Sequence, residues 1–338
     1  MSDTLGRCRK ALRPLAAVLV AGAVTAGPTV AGASAQQRPL LVAIYKSGTQ
    51  QYFIDQANGF KQKAAQLGAD AKTVNVELDA NLAINEVNNA LTSGAKGIGI
   101  TVPDQKIGPA VIQAAKNANV PLVATDDSIK DVSGADAPFV GFDGTDMGTK
   151  VGDKAADLLN GSAWVGDTGK TVGVLSVEVQ TLSVCTDRTT AAKNEMLTNV
   201  AGLTADQIIT VPYTGETDNA LQAAGPVITA HPDVTNWVVF ACNDEGVKGT
   251  LRALDSAGVS PDQVLGVGLG AYEACPEWKA GNPTGFKAAL YISGIDVGNS
   301  AAEALYNNVV NGTPLPPKTI AKTTMVDPTN YVDVGVKC

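Results

Sequence analysis

The stretch LLVAIYKSGTQQYFIDQANGFKQKAAQLGADAKTVNV, residues 40–76, decides the fold. Residues 40–45 form an apolar run of strand length. Phe53, Ala57, Phe60, Ala64 and Leu67 then recur at three- and four-residue intervals, which places them on one helix face, and Gly68 follows as the stop. Residues 72–76 read as a second strand. Two strands joined by a single helix run parallel, and a parallel sheet is covered on both faces.

The same pattern continues to the end of the chain. Further strands are expected over 97–101, 122–125, 139–142, 171–176, 208–211, 237–241, 264–267 and 286–290. Between 76 and 97, Ile84, Val87 and Leu91 mark a helix ended by Gly94. About ten such units exceed one core, so the fold class is α/β with two similar lobes, each built on a parallel sheet. The first passage between lobes is expected near Phe142–Gly144. No repeat of 20–50 residues and no low-complexity linker interrupts the pattern.

The N-terminus reads as a secretory signal peptide over 1–35. Arg7, Arg9, Lys10 and Arg13 form a basic segment, residues 15–26 an apolar one, and Ala33-Ser34-Ala35 a small-residue cleavage pattern. Cys8 precedes the apolar stretch, where a lipoprotein cysteine does not lie, so no lipid anchor is expected. The whole chain carries 25 basic and 33 acidic residues. Removing four basic residues and one acidic residue with the signal leaves 21 against 32, a net charge of −11. No later run approaches the roughly 20 apolar residues of a spanning helix. The expectation is an exported, periplasmic protein. An acidic chain without Lys/Arg runs offers nothing to nucleic acid or anionic lipid. Four cysteines remain after export, Cys185, Cys242, Cys275 and Cys338; they have no metal-site spacing and are expected to form disulfides in one of three pairings.

Ligands of open parallel sheets bind beyond the carboxyl ends of the strands. That rule picks out Lys46, Gln50, Tyr52 and Phe53 after the first strand, Thr101 after the third, Asp126 and Asp127 after the fourth, and Phe142 after the fifth. In the second half it picks out Arg188, then Cys242 and Asn243, then Gly270 and Glu273. Carboxylates, cations and amides with aromatic faces suit a polyhydroxyl ligand, whose hydroxyls both donate and accept while its C–H face stacks. Each residue also has a plain structural role open to it: Asp126-Asp127 as a turn and cap, Arg188 paired on the surface, Asn243 as a helix N-cap. Other chemistries lack their motifs. Gly266–Gly270 misses the dinucleotide spacing, and no phosphate loop or nucleophile elbow is present. His231, the one histidine, reads as a helix-end residue. No cofactor, metal site or catalytic residue is expected.

In SGAKGIGITVPDQKIGPAV (93–111), VPLVATDD (120–127), DRTTAA (187–192), HPDVTNWVVFACNDEGVKGTLRA (231–253) and PPKT (316–319), the chain resembles the type I periplasmic sugar-binding proteins of ABC importers, most closely their arabinose-binding branch. YKSGTQQYF (45–53) is similar to that family's first-strand loop. The resemblance spans the mature chain. It implies two Rossmann-like lobes joined by three crossovers, the periplasmic binding protein-like I fold, with 36–141 plus 293–321 in lobe 1 and 142–292 plus 322–338 in lobe 2. By the same resemblance, Lys46 would bond ring hydroxyls, and Asp127 the anomeric region with Asp126 beside it. Arg188 and Asn243 would reach the sugar from the second lobe, Tyr52 and Phe53 would stack, and Thr101 and Phe142 would line the floor. Gln50 stands where the branch has Glu, Gly270 where it has Asn, Glu273 where it has Asp, and Cys242 where it has Met. These exchanges put the identity of the sugar in doubt and leave the family reading intact.

The reading is therefore a monomeric, non-enzymatic binding protein that delivers an aldopyranose such as L-arabinose, D-galactose or D-fucose to an ABC permease, with a chemoreceptor as a compatible second partner. Other pentoses, deoxy-sugars and polyols stay open. A secreted carbohydrate hydrolase is the rival from another class, and Asp126 with Glu273 is the carboxylate pair it would use. Because Cys242 and Cys275 follow successive second-lobe strands, they are the first pairing to expect, with Cys185 as competitor.

Overall fold

The computed structural model describes residues 38–338, so the signal-peptide and cleavage readings on 1–35 lie outside the described residues. Two six-stranded sheets organise the chain. The first holds β1 (Leu40–Tyr45), β2 (Asp70–Asn75), β3 (Gly97–Ile100), β4 (Leu122–Thr125), β5 (Phe139–Gly141) and β11 (Lys318–Ile320), in the order β11-β5-β4-β3-β1-β2, all parallel. The second holds β6 (Val172–Glu178), β7 (Ile208–Pro212), β8 (Asn236–Ala241), β9 (Val264–Gly270), β10 (Phe286–Ile292) and β12 (Thr323–Val326), in the order β12-β10-β9-β8-β6-β7. Strand β12 runs antiparallel to β10, an exception to the all-parallel expectation.

The chain passes between sheets after β5, after β10 and after β11. Each lobe is sealed by a helix pair in close contact: Gln51–Leu67 against Gly294–Asn311 in the first, Gly144–Asn160 against Ser183–Asn199 in the second. The second pair touches backbone to backbone. A Cβ on Gly148 would lie 2.1 Å from the carbonyl oxygen of Arg188, so glycine there sets how near the helix bearing Arg188 can come.

The central strands β1, β3, β4, β8 and β9 are buried almost throughout, as apolar runs covered on both faces should be. With side chains used up on both faces, only the loops beyond the strand ends remain free to build a site, and parallel strands deliver those loops to one edge. His231 does sit at a helix end, its Nδ1 2.8 Å from the carbonyl of Val227.

Candidate functional site

The loops at the carboxyl ends of both sheets enclose a cavity of about 410 Å³. Lys46, Gln50, Tyr52, Phe53 and Asp126 border it from the first lobe, and Arg188, Cys242, Asn243 and Gly270 from the second.

The first-lobe wall begins where β1 ends. Lys46 Nζ lies 2.5 Å from Asp127 Oδ2, 3.9 Å from Asp126 Oδ2 and 5.3 Å from the centre of the Phe53 ring. Tyr52 and Phe53 open the helix Gln51–Leu67, meeting edge to face at 5.0 Å. The chain leaves β4 through a left-handed turn at Asp126 (φ +61°), a conformation that costs a non-glycine residue free energy and that Asp tolerates better than most. The turn directs Asp126 to the cavity and leaves Asp127 fully buried behind it. Burial pushes the Asp127 carboxyl up to about 6, with Lys46 pulling against that rise.

On the second-lobe wall, Arg188 is 5% exposed. Its Nη1 donates to the carbonyl of Cys242 at 3.0 Å, and its Nη2 lies 3.8 Å from Asp126 Oδ1 across the cleft. Asn243 caps the helix Asp244–Ser256 through Gly246 N, accepts from Tyr213 Oη at 2.5 Å, and donates to the carbonyl of Gly215 at 3.0 Å. It therefore borders the cavity with an amide already engaged in holding its own loop, so the N-cap role left open above is real. Gly270 has φ +135°, where a side chain would be strained and would approach Asp244 at 3.4 Å. Asp244 is buried, receives Glu273 N at 2.9 Å, and is pushed up to about 7 by that burial.

Two glutamines join the walls. Gln50 donates across the cleft to the carbonyl of Gly215 at 3.2 Å and to Glu216 Oε1 at 3.1 Å. Gln105 and Ser183 bond reciprocally, Ser183 N to Gln105 Oε1 at 2.8 Å and Gln105 Nε2 to Ser183 Oγ at 2.9 Å.

Four expected site residues do not border this cavity. Asp127 lies behind Lys46. Thr101 is buried in a hydroxyl–hydroxyl contact with Thr125 at 2.7 Å. Phe142 packs its ring 6.3 Å from that of Tyr52 and lines a neighbouring cavity. Glu273 ion-pairs with Lys248 instead of facing Asp126, so the carboxylate pair a hydrolase would need is not assembled from these two. The expected disulfide is also corrected. Cys242 pairs with Cys185, and Cys275 with Cys338.

The strand-end reading missed Glu178, Tyr213 and Glu245, all on the cavity wall, whereas Tyr272, on the loop it picked out between Gly270 and Glu273, does line the cavity. Glu178 was reachable: β6 runs two residues past the expected end at Ser176 and finishes on it. There Ser176 and Lys193 each donate to Glu178 Oε1 at 2.8 Å. Burial and the neighbouring Asp244 carboxylate push Glu245 up to about 8.

Several buried polar atoms on these walls have no hydrogen-bond partner among the described residues: Tyr52 Oη, Asp126 Oδ1, and Arg188 Nε and Nη2, the second and last of which face each other only at ion-pair distance. Buried polar groups are seldom left so, and here donors and an acceptor converge on one cavity from both lobes. The arrangement can take hydroxyl groups that donate to a carboxylate and accept from a guanidinium at once.

Known proteins show the same organisation. A family model described as a periplasmic binding protein domain matches residues 41–313. The ABC transporter L-arabinose-binding periplasmic protein of Azospirillum brasilense is 30% identical over 290 residues, covering 83% of this chain and 84% of that protein. The L-arabinose-binding periplasmic protein of Escherichia coli K12 is 28% identical over 252 residues, covering 73% and 75%. In fold alone, the Caulobacter myo-inositol binding protein, solved with myo-inositol, has a TM-score of 0.74 at 18% identity, covering 87% of this chain and 95% of that one. With two lobes of this topology and a family match from β1 through the helix Gly294–Asn311 into the segment before β11, the chain belongs to the periplasmic binding protein domain family.

Proposed function

We propose that the chain is an exported sugar-binding protein that captures a monosaccharide between its lobes and delivers it to an ABC importer in the periplasm. The observation that carries the reading is the set of buried polar atoms without a hydrogen bond on residues that border one cavity, Tyr52 Oη and Asp126 Oδ1 from one lobe, Arg188 Nε and Nη2 from the other. A polyol bridging them satisfies groups that only the closed form brings together, so its binding energy favours closure. Lys46, Asp126 and Arg188 supply charged hydrogen bonds and Tyr52 and Phe53 an apolar face. The names of the relatives support an aldopyranose of the L-arabinose type, with D-galactose and D-fucose as the next candidates. Among the described residues, no helix is long and apolar enough to cross a membrane. The partner that reads the closed outline is the permease.

The test is calorimetric titration of the purified protein with L-arabinose, D-galactose, D-fucose and myo-inositol, alongside thermal unfolding. Ligand at 100 times its Kd adds about 2.7 kcal/mol of stability, a shift of several degrees in Tm. Binding of one or more of these sugars supports the reading. No heat and no shift with all four rejects it.

A further inference from the structure

The helix Ser183–Asn199 starts without a cap: Leu182, at its N-cap, has no side-chain acceptor for the first amides. Two other contacts hold its first turn. One is Gln105, which bonds Ser183 from the opposite lobe and must let go whenever the lobes part. The other is the disulfide from Cys185 to Cys242, just past the end of β8, whose Cα atoms lie 4.9 Å apart. That bond lies within one lobe and survives opening.

Arg188 sits about one turn beyond Cys185 on the same helix. Its Nη1 donates to the carbonyl of Cys242 and comes within 3.8 Å of Cys242 Sγ. The disulfide thus acts on Arg188 from both ends, through the helix at Cys185 and through the carbonyl at Cys242. Gly148 closes the opposite side of the helix against the backbone of Arg188. Both cysteines border the cavity. The other disulfide, Cys275–Cys338, ties the helix Ala274–Ala280 to the last residue of the chain, and neither of its cysteines borders the cavity.

We propose that the Cys185–Cys242 disulfide is a positioning element for ligand capture, holding Arg188 and the turn at Cys242–Asn243 in binding geometry while the lobes are open. The proposal rests on the reading of the cavity as a sugar site. Its physical content is preorganisation: a long side chain already fixed loses less freedom when the ligand arrives. The two disulfides provide a matched comparison. They link residues 57 and 63 apart in sequence, so removing either should lower Tm to a similar degree.

The experiment uses the oxidised full chain in four forms: unchanged, Cys185→Ala with Cys242→Ala, Cys275→Ala with Cys338→Ala, and Gln105→Ala. Amide hydrogen exchange over residues 183–190 is measured without sugar, and L-arabinose, D-galactose and D-fucose are titrated calorimetrically. In the first double variant, exchange over 183–190 is expected to speed up about tenfold. Affinity for whichever of these sugars binds is expected to fall about three- to tenfold, the cost of immobilising one long side chain. In the second double variant both quantities stay within about a factor of two, although Tm falls in both. Sugar-free exchange in Gln105→Ala also stays within about a factor of two, a readout that serves even where the first double variant does not fold. Unchanged exchange or affinity in the first double variant overturns the proposal, as does an equal change in both double variants or accelerated exchange in Gln105→Ala. Should none of the three sugars bind the unchanged protein, the sugar reading fails, and the exchange comparison still decides whether the disulfide holds this turn.

Discussion

In the first lobe the cleft's cation is neutralised at home, whereas in the second it is not. Lys46 reaches Asp127 at 2.5 Å within its own lobe, and Asp127 is wholly buried. Arg188, equally buried, has one ion pair among the described residues, and that pair reaches across the cleft to Asp126 at 3.8 Å. Backbone oxygen, not a carboxylate, holds it within its own lobe. A buried charge without a close partner is costly. The cation of the first lobe is therefore neutralised before any ligand arrives, while the balance of Arg188 depends on the lobes coming together. The difference locates where closure gains its energy: at the guanidinium and the carboxylate facing it.

The largest expected effect follows from that asymmetry. Arg188→Ala should weaken sugar binding by about 100-fold or more, the scale for removing one partner of a buried hydrogen-bonded charge. Titration with the best-binding sugar measures it. The sugar-free protein should lose little stability, since Arg188 contributes one backbone hydrogen bond there. A large fall in Tm with affinity retained would break the comparison, because Arg188 would then be structural.

The next effect separates the adjacent aspartates. Asp127→Asn should act on stability rather than on affinity, because it removes both the near partner of Lys46 and a carboxylate whose ionisation burial opposes, and affinity should fall less than in Asp126→Asn. Asp126→Asn should do the reverse, since Asn tolerates the left-handed backbone while giving up the charge that faces Arg188. Denaturant unfolding and titration of the two variants test the crossed pattern. If Asp127→Asn instead causes the larger loss of affinity, Asp127 is the ligand carboxylate, as the family resemblance implies.

That exchange of roles marks the limit of what is legible in sequence. The apolar runs and helix periodicities placed the first ten strands, most plainly the central ones, whose burial on both faces leaves a continuous apolar run. Lys318–Ile320 and Thr323–Val326 left none, being short edge strands of mixed polarity that exist because β5 and β10 offer them pairing partners. Strand ends brought out Lys46, Gln50, Asp126 and Arg188. They could not distinguish Asp126 from Asp127, because a backbone angle at one residue decides which faces inward. The disulfides escaped for a similar reason. Strand β8 lies between β6 and β9, so Cys242 has a cysteine-bearing neighbour on either side, and sheet order does not choose. The choice falls to Cys275, which sits in the short helix after β9 and bonds the chain end.

A smaller, pH-dependent effect sharpens the comparison on the second-lobe side. Burial raises Asp244 from 3.8 to about 7. Between those values the folded protein binds more protons than the unfolded chain, so stability falls as pH rises through the window and levels off above it. The expected loss is about 3 kcal/mol from pH 4 to pH 7, with Asp127 adding in the same direction. Asp244→Asn should flatten the slope of Tm against pH. A slope unchanged in that variant assigns the pH dependence to other groups.

The smallest effect concerns the residue that sequence places in the site and the structure does not. Glu273 pairs with Lys248 at the edge of the second lobe, both side chains being about one-quarter exposed. Such exposed pairs contribute about 0–1 kcal/mol. Its backbone amide, not its carboxylate, connects it to the cavity wall, by donating to Asp244. Glu273→Gln keeps that amide and removes the charge, so sugar affinity should change by less than about twofold and Tm by no more than a degree or two. A tenfold loss of affinity would place the Glu273 carboxylate on the ligand, making the second lobe a charged contact surface that Lys248 covers only in the absence of sugar.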